Sequence, residues 1–496
     1  MANYILSIDQ GTSSSRAVLV NSRGTIEKIS QSEFTQHFPS PGLVEHDANE
    51  IWSSQLKVIR GLFEDNTIEP ENVSGIGITN QRETCLLWNK KTGAPLGRAI
   101  VWQDRRTANA CDQLNASGKF DWIKEKTGLV VDAYFSATKI AWMLKNYEGV
   151  EELLKTNDLC AGTIDSWLIY KLTGNHYTDP SNASRTMLFN INSNTWDTEL
   201  LDLFEIPRSI LPEVIPSNSN FGKIKSEILG VEIPIYGVLG DQQAALFGQM
   251  CHEPGMAKNT YGTGCFMLMN TGSKKVNSKA GLLSTIAWQL EGMNPVYALE
   301  GSVFIAGAAI QWLRDGLKII DETPDSEYYA LKVEDTKGVY VVPAFTGLGA
   351  PYWDMYARGG IFGLTRDVDK SHIIRATLES LAYQTYDVLN CMLEDSSVPI
   401  RVLKVDGGAA NNNLLMQFQA DMLNTIIERP ANTESTALGV AYLAGIRLGI
   451  WTKETLQSNI NPAECFYPEM DKAKRSTLLR GWAKAVSRCK DWEDKD

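Results

Sequence analysis

No stretch of the sequence reaches the roughly 18 consecutive apolar residues that a membrane-crossing helix needs. The opening segment Met1-Ala2-Asn3-Tyr4-Ile5-Leu6-Ser7-Ile8-Asp9 has no basic region ahead of its apolar run, so no signal peptide is expected and the reading is of a cytoplasmic protein. Eight cysteines (Cys85, Cys111, Cys160, Cys251, Cys265, Cys391, Cys465 and Cys489) are scattered without a CxxC pair, which fits reduced, structural thiols. Five histidines, none at metal-ligand spacing with another, argue against zinc. Basic residues are outnumbered, 47 against 59 acidic ones for a net charge of -12. They are scattered rather than striped, so nucleic-acid binding is not expected. A nucleotide site needs only a few local donors and survives an acidic total. The pattern GxxxxGK[ST] occurs nowhere, which excludes a P-loop enzyme.

What the chain does have is globular: 496 residues, 43% hydrophobic and 21% charged, enough for two or three domains. Residues 4–30 read as a meander, with strands at Tyr4–Ile8, Arg16–Val20 and Thr25–Ser30 separated by polar turns. Ile51, Trp52, Leu56, Ile59 and Phe63 follow helical spacing. Val73–Thr79 and Thr84–Trp88 read as buried strands, with helices around 104–115 and 136–147. Strands and helices alternate thereafter, so the class is α/β.

The first meander has an internal echo. Ile8-Asp9-Gln10-Gly11-Thr12-Ser13, an apolar strand and Asn21-Ser22-Arg23-Gly24 are matched by a second unit. That unit is Asn259-Thr260-Tyr261-Gly262-Thr263-Gly264, the strand Cys265–Met269 and the turn Asn270-Thr271-Gly272-Ser273. Duplicated domains facing one cleft would give this pattern; so would two unrelated hairpins sharing turn chemistry. The boundary is expected between Gln249 and Lys258, giving domains 1–250 and 251–496.

Several segments carry chemistry. Gly11-Thr12-Ser13-Ser14-Ser15-Arg16 offers backbone N–H groups, hydroxyls and a cation to a phosphate, and Asp9 is placed to hold Mg²⁺ through water. Val405-Asp406-Gly407-Gly408-Ala409-Ala410-Asn411-Asn412 joins a strand to a helix, where paired glycines permit close backbone approach and the helix N-terminus favours anions. A purely structural turn would look alike. In Asn80-Gln81-Arg82-Glu83-Thr84, adjacent Arg and Glu would point to opposite faces of a regular strand. If both serve one ligand the backbone must turn there; otherwise they form a buried salt bridge. Asp241, after the apolar run Ile235–Leu239 and Gly240, could be a helix N-cap, the acceptor of a hydroxyl proton, or both.

Taken together, these segments resemble the FGGY carbohydrate kinases, over nearly the whole chain from Ile5 to about Trp482. Tyr134-Phe135-Ser136-Ala137-Thr138-Lys139-Ile140-Ala141-Trp142 is similar to one family motif. Gly359-Gly360-Ile361-Phe362-Gly363-Leu364 with His372-Ile373-Ile374-Arg375-Ala376-Thr377-Leu378-Glu379 is similar to another. The segment Asn80–Thr84 resembles that of the glycerol-phosphorylating members, and ketose kinases generally differ there.

The resemblance implies an actin-like fold, two RNase H-like domains around a central cleft. It implies ATP-dependent phosphorylation of glycerol to sn-glycerol 3-phosphate. Another polyol or a ketose is the alternative substrate, and an actin- or chaperone-like ATPase the distant rival. By matching position, Arg82, Glu83, Tyr134, Asp241 and Gln242 would bind glycerol, with Trp102 and Phe266 bracketing its carbons. Thr12, Ser13, Ser14 and Arg16 would hold the transferring phosphates, and Thr263, Gly307, Gln311, Gly408 and Asn412 the nucleotide. Asp9 and Asp241 would place Mg²⁺, with Asp241 as the base. A homo-oligomer, dimer or tetramer, is expected, with no membrane insertion. Some bacterial relatives carry a Gly-rich, Arg-containing loop linked to sugar-bisphosphate inhibition between positions matching Phe221 and Ile233. The stretch Gly222-Lys223-Ile224-Lys225-Ser226-Glu227 found here lacks it, so that inhibition is not expected.

Overall fold

A computed structural model describes residues 4–432, 434–459 and 464–494; Met1–Asn3 of the opening segment lie outside them. The expected meander is there as β1 (Tyr4–Gln10), β2 (Ser14–Val20) and β3 (Ile26–Glu33), paired antiparallel in sequence. Ile5, Leu6, Ile8 and Val18 to Val20 are all fully buried. Runs without polar alternation mark a sheet covered on both faces. α1 (Ala48–Gly61) covers one face; Asp47 caps it by accepting from Asn49 N–H at 2.8 Å, and Ile51, Val58 and Ile59 point inward. β4 (Val73–Asn80) lies parallel to β1, and β5 (Ile235–Gly240) parallel to β4, so the sheet order is β5-β4-β1-β2-β3.

The second sheet contains β6 (Met256–Tyr261), β7 (Cys265–Gly272), β8 (Leu283–Trp288), β9 (Val296–Val303), β10 (Val402–Gly407), β11 (Ile426–Arg429) and β12 (Glu464–Phe466). Its order is β8-β9-β7-β6-β10-β11-β12. The five central strands repeat the first sheet: β6-β7-β9 antiparallel, with β10 and β11 parallel on the other side. The echo is therefore a repeated topology and not shared turn chemistry, and the fold is the actin-like pair of RNase H-like units. The expected turn at Asn270–Ser273 comes later than read, because β7 runs to Gly272 and ends there at φ 73°.

Five helices matter for the site: α2 (Asp241–Gly248), α3 (Gly307–Asp315), α4 (Lys370–Ser396), α5 (Asn413–Leu423) and α6 (Ser435–Arg447). Although α6 comes from the second half, it packs on α2 and the first sheet. Ala437, Val440, Ala441 and Leu443 share one core with Ile5, Val18, Leu239 and Phe247. The crossing is close enough that a Cβ on Gly439 would stand 1.9 Å from the Ala244 carbonyl oxygen, and one on Gly248 2.1 Å from that of Ser435. Only glycine fits either position.

A smaller sheet (Glu45–His46, Ala99–Ile100, Cys85–Asn89, Leu159–Thr163) extends the first half. The helix expected from 104 begins only at Ala108. Asp104 stays outside it: its N–H closes a turn on the Val101 carbonyl at 3.0 Å, and its carboxylate accepts from Val44 N–H at 2.7 Å and from Arg106. Among the described residues no helix is long and apolar enough to cross a membrane.

Candidate active site

The backbone does turn in the segment after β4: Glu83 has φ 63°. That left-handed backbone turns both Arg82 and Glu83 inward, 3% and 1% exposed. They are not each other's main partner, since Arg82 Nε lies 3.7 Å from Glu83 Oε1. Arg82 instead donates to both oxygens of Glu300, at 2.6 and 3.1 Å, and Glu83 accepts from Arg185 Nε at 2.6 Å. Arg185 Nη2 closes the ring onto Glu300 at 2.8 Å. Arg82 Nε also faces Asp241 at 3.3 Å, where the network opens: the Asp241 side chain is 30% exposed against 2% for Arg82. The salt-bridge and ligand readings thus describe one cluster, whose buried members hold Arg82 in place and whose open end is Asp241.

Burial pushes the Glu83 carboxyl above its ordinary range, against the pull of Arg82 and Arg185. Glu300 goes the other way. Burial raises it, but Arg185 and Arg82 outweigh that and hold it at about 2, because it sits between two guanidinium forks.

Three aromatic rings flank the cluster. Trp102 packs edge-on against Tyr134, with centroids 5.6 Å apart, and against Phe266, 6.4 Å apart. Trp102 Nε1 donates to Thr12 Oγ1 at 3.1 Å, joining the rings to the β1–β2 loop. In that loop, Gln81 holds the Gly11 carbonyl at 3.2 Å and Gln36 the Thr12 carbonyl at 3.0 Å. With its carbonyls held, the loop presents Ser13 to solvent and Arg16 beside it, the arrangement an anion needs. Arg16 is ion-paired with Glu434 at the foot of α6.

Asp241 is not the N-cap of α2. Gly240 occupies that position, and Asp241 is the first helical residue, accepting from Gln242 N–H at 2.7 Å. The strand runs to Gly240 and the helix starts at the next residue, so the Asp241 carboxylate projects from the first turn. Asp9 is raised to about 7; burial is the main cause, Arg16 opposes it, and the charges of Asp241 and Glu434 add to it. A buried carboxylate whose charged form is disfavoured in this way fits a hard cation. Among the described residues no group of three His, Cys, Asp or Glu could hold a metal; Mg²⁺ in general takes one or two carboxylates and completes its shell with water and phosphate oxygens.

On the facing unit, the β6–β7 loop, the start of α3 and the end of β10 meet. Ala306 and Ala308 N–H groups donate to the Thr263 carbonyl at 2.8 and 3.1 Å, and Gly307 N–H to that of Gly262 at 3.0 Å. β6 pairs with β10 through Tyr261 and Gly407, and Gly407, at φ 87°, has no space for a Cβ, which would fall 2.3 Å from the Tyr261 carbonyl oxygen. Gly408 beyond it faces open space. Gln311 is exposed one turn into α3. Asn412 has a structural task as N-cap of α5, accepting from Leu415 N–H at 2.9 Å.

Sequence reasoning missed Glu300, Arg185, Lys258 and Glu434. Two of them had a signal. Glu300 within Val296–Val303 and Lys258 within Met256–Tyr261 are single charges inside buried strands, each 0% exposed, where a charge needs a partner.

The N-terminal domain of the FGGY family of carbohydrate kinases matches residues 4–248, and its C-terminal domain residues 257–448. The chain is 59% identical to a glycerol kinase of Caldanaerobacter subterraneus subsp. tengcongensis over 100% of both chains. It is 57% identical to one of Halorhodospira halophila, over 99% of this chain and 97% of that one. The crystal structure of Plasmodium falciparum glycerol kinase with ADP superposes with a TM-score of 0.94 at 38% identity, covering 98% of each chain. Gluconate kinase from Lactobacillus acidophilus shares the fold, with a TM-score of 0.88 at 21% identity over 98% of each chain.

Proposed function

The chain belongs to the FGGY family of carbohydrate kinases, and from that premise we propose that it transfers the γ-phosphoryl group of ATP to a terminal hydroxyl of glycerol, yielding sn-glycerol 3-phosphate and ADP. The observation that carries this reading is the placing of Arg82, Glu83 and Asp241 in one cluster beside Trp102 and Tyr134, in a chain whose full-length relatives are glycerol kinases. Glycerol offers little apolar surface, so recognition rests on hydrogen bonds made away from water. A site of that kind rejects analogues lacking a hydroxyl by roughly 10⁴-fold or more.

In this reading residues 1–250 carry the polyol site and the base, and residues 251–496 the adenine nucleotide site. Arg82 and Glu83 take hydroxyl oxygens and protons respectively, Tyr134 and Gln242 complete the polar contacts, and Trp102 and Phe266 cover the carbons. Asp241 orients the reacting hydroxyl and accepts its proton as the new P–O bond forms and the bond to the β–γ bridging oxygen breaks. Thr12, Ser13, Ser14 and Arg16 hold the phosphates; Thr263, Gly307, Gln311, Gly408 and Asn412 line the nucleotide. Asp9 and Asp241 would hold Mg²⁺, which supplies charge neutralisation on the phosphates. Such chemistry is mostly positioning and electrostatics.

A coupled ADP-release assay with glycerol, other polyols and ketoses tests the reading. Glycerol should give the highest kcat/KM. A ketose turned over faster would assign the chain to another activity of the family, and ATP hydrolysis indifferent to any polyol would sink the kinase reading.

A further inference from the structure

We propose that Lys258 is the positioning residue that fixes the Gln242 carboxamide, so that substrate meets its N–H donor and not its carbonyl oxygen. The inference rests on the polyol reading above and assigns a task to a residue outside that site. Lys258 lies mid-strand in β6, is fully buried, and comes from the unit facing the one that carries Gln242. Its ammonium donates to Thr260 Oγ1 at 2.9 Å and to Gln242 Oε1. An ammonium has three donors and no lone pair. The reverse rotamer would set the Gln242 NH₂ group against it, donor to donor.

Diffraction ordinarily leaves amide oxygen and nitrogen interchangeable, but here a neighbour of fixed chemistry decides between them. Gln242 is partly exposed, and its Nε2 has no hydrogen-bond partner among the described residues. The carboxamide thus turns a free N–H pair toward the cleft beside Asp241. Burial lowers the Lys258 ammonium to about 8, against the pull of Asp406, Asp241 and Glu300 and with a push from Arg82, so it stays a donor at neutral pH. The division of labour follows. Asp241 accepts a proton from a hydroxyl, and Gln242, held by Lys258, donates to one. Lys258 also links the two units at this point, so the orientation of Gln242 depends on their approach.

The test is a double-mutant cycle on the full-length enzyme, with Lys258→Met, Gln242→Ala and the pair, reading KM for glycerol and for ATP beside a thermal melt. Lys258→Met should raise KM for glycerol roughly 10- to 100-fold, the effect of losing a hydrogen bond to a charged group, with KM for ATP within about twofold. In the Gln242→Ala background it should add nothing, because the residue it positions is gone. Additive effects, or an equal rise for ATP, would overturn the proposal.

Gln242→Glu gives a second test in case Lys258→Met does not fold. It keeps the oxygen facing Lys258 and removes the N–H donor, so its loss for glycerol should match that of Gln242→Ala. Glycerol use within about threefold of wild type would mean that substrate meets an oxygen, and the proposal fails. Wild-type enzyme inactive on glycerol is a separate result, and it would strike the polyol reading instead.

Discussion

Glu300 grips Arg82 with both carboxylate oxygens, at 2.6 and 3.1 Å, across 218 residues of sequence. Arg82 stands just past a central strand of the first sheet, and Glu300 within β9 of the second. The bidentate pair therefore joins the two units and aims the free Nε of Arg82 at Asp241. Arg185 shares the same carboxylate at 2.8 Å, so Glu300 bonds both buried guanidiniums, with Glu83 as the second buried anion on Arg185.

Removing that anion should be costly. Glu300→Gln keeps the shape but leaves Arg82 and Arg185 with Glu83 and Asp241 alone. Breaking a buried pair costs about 3–5 kcal/mol, so the melting temperature should fall by several degrees and kcat/KM for glycerol should drop. KM for ATP should change little. A variant as stable as wild type would show that Glu83 alone can balance the cluster.

The same pair sets a pH dependence. The Glu300 carboxyl is held at about 2, below its ordinary 4.5, so the unfolded chain takes up the proton first. Its contribution to stability is present in full above about pH 4.5 and is lost as pH falls through about 2. The melting-temperature gap between wild type and Glu300→Gln should therefore be constant near neutrality and narrow between those values. A gap unchanged at the acid end would place the stabilisation elsewhere.

Arg16 is bound to Glu434 before any phosphate arrives. The pair is partly exposed, at 24% and 30%, and such pairs are worth about 0.2–1 kcal/mol. If Arg16 holds a phosphate as proposed, Glu434 competes for it, so Glu434→Gln should lower KM for ATP by up to about fivefold. A rise in KM would mean that Glu434 orients Arg16 for the nucleotide instead of competing with it.

The strands and the repeated hairpin were legible because buried β-strands keep continuous apolar runs and glycine-bearing turns separate them. The inward turn at Arg82-Glu83 was legible too, since adjacent opposite charges cannot share one face of a strand. Three things were hidden. The partners of that pair, Glu300 and Arg185, lie 218 and 102 residues from Arg82 and Glu83 respectively, and no local pattern records such a contact. Helix α6 crosses to the first sheet because Gly248 and Gly439 permit it, which is a property of two surfaces and not of either segment. Whether Asp241 caps the helix was left open by the sequence, and it lies one residue past the cap, because strand-to-helix junctions are set by backbone hydrogen bonds that periodicity does not resolve.

That one-residue difference sharpens the test of Asp241. Were Asp241 the N-cap, its loss would weaken α2 by about 1 kcal/mol; as the first helical residue, with Gly240 as the cap, it leaves the capping untouched when changed. Among the described residues its carboxylate accepts only from its neighbour Gln242 N–H, at 2.7 Å, and it faces Arg82 Nε at 3.3 Å. Asp241→Asn keeps an oxygen for the first contact and gives up the charge at the second, so the fold should hold while Arg82 loses one of its anions. On the proposed reading, the proton acceptor is lost outright. An alcohol is a weak nucleophile, and a carboxylate taking its proton contributes about 10²–10⁴-fold, so kcat should fall by at least that range. ATP should still raise the melting temperature, because the proposed reading assigns its phosphates and base to other residues. Measuring kcat beside thermal melts with and without ATP separates the roles. A folded, ATP-binding variant without turnover fits a base, whereas one keeping more than about a tenth of wild-type kcat, well short of the general-base range, would remove Asp241 from that role.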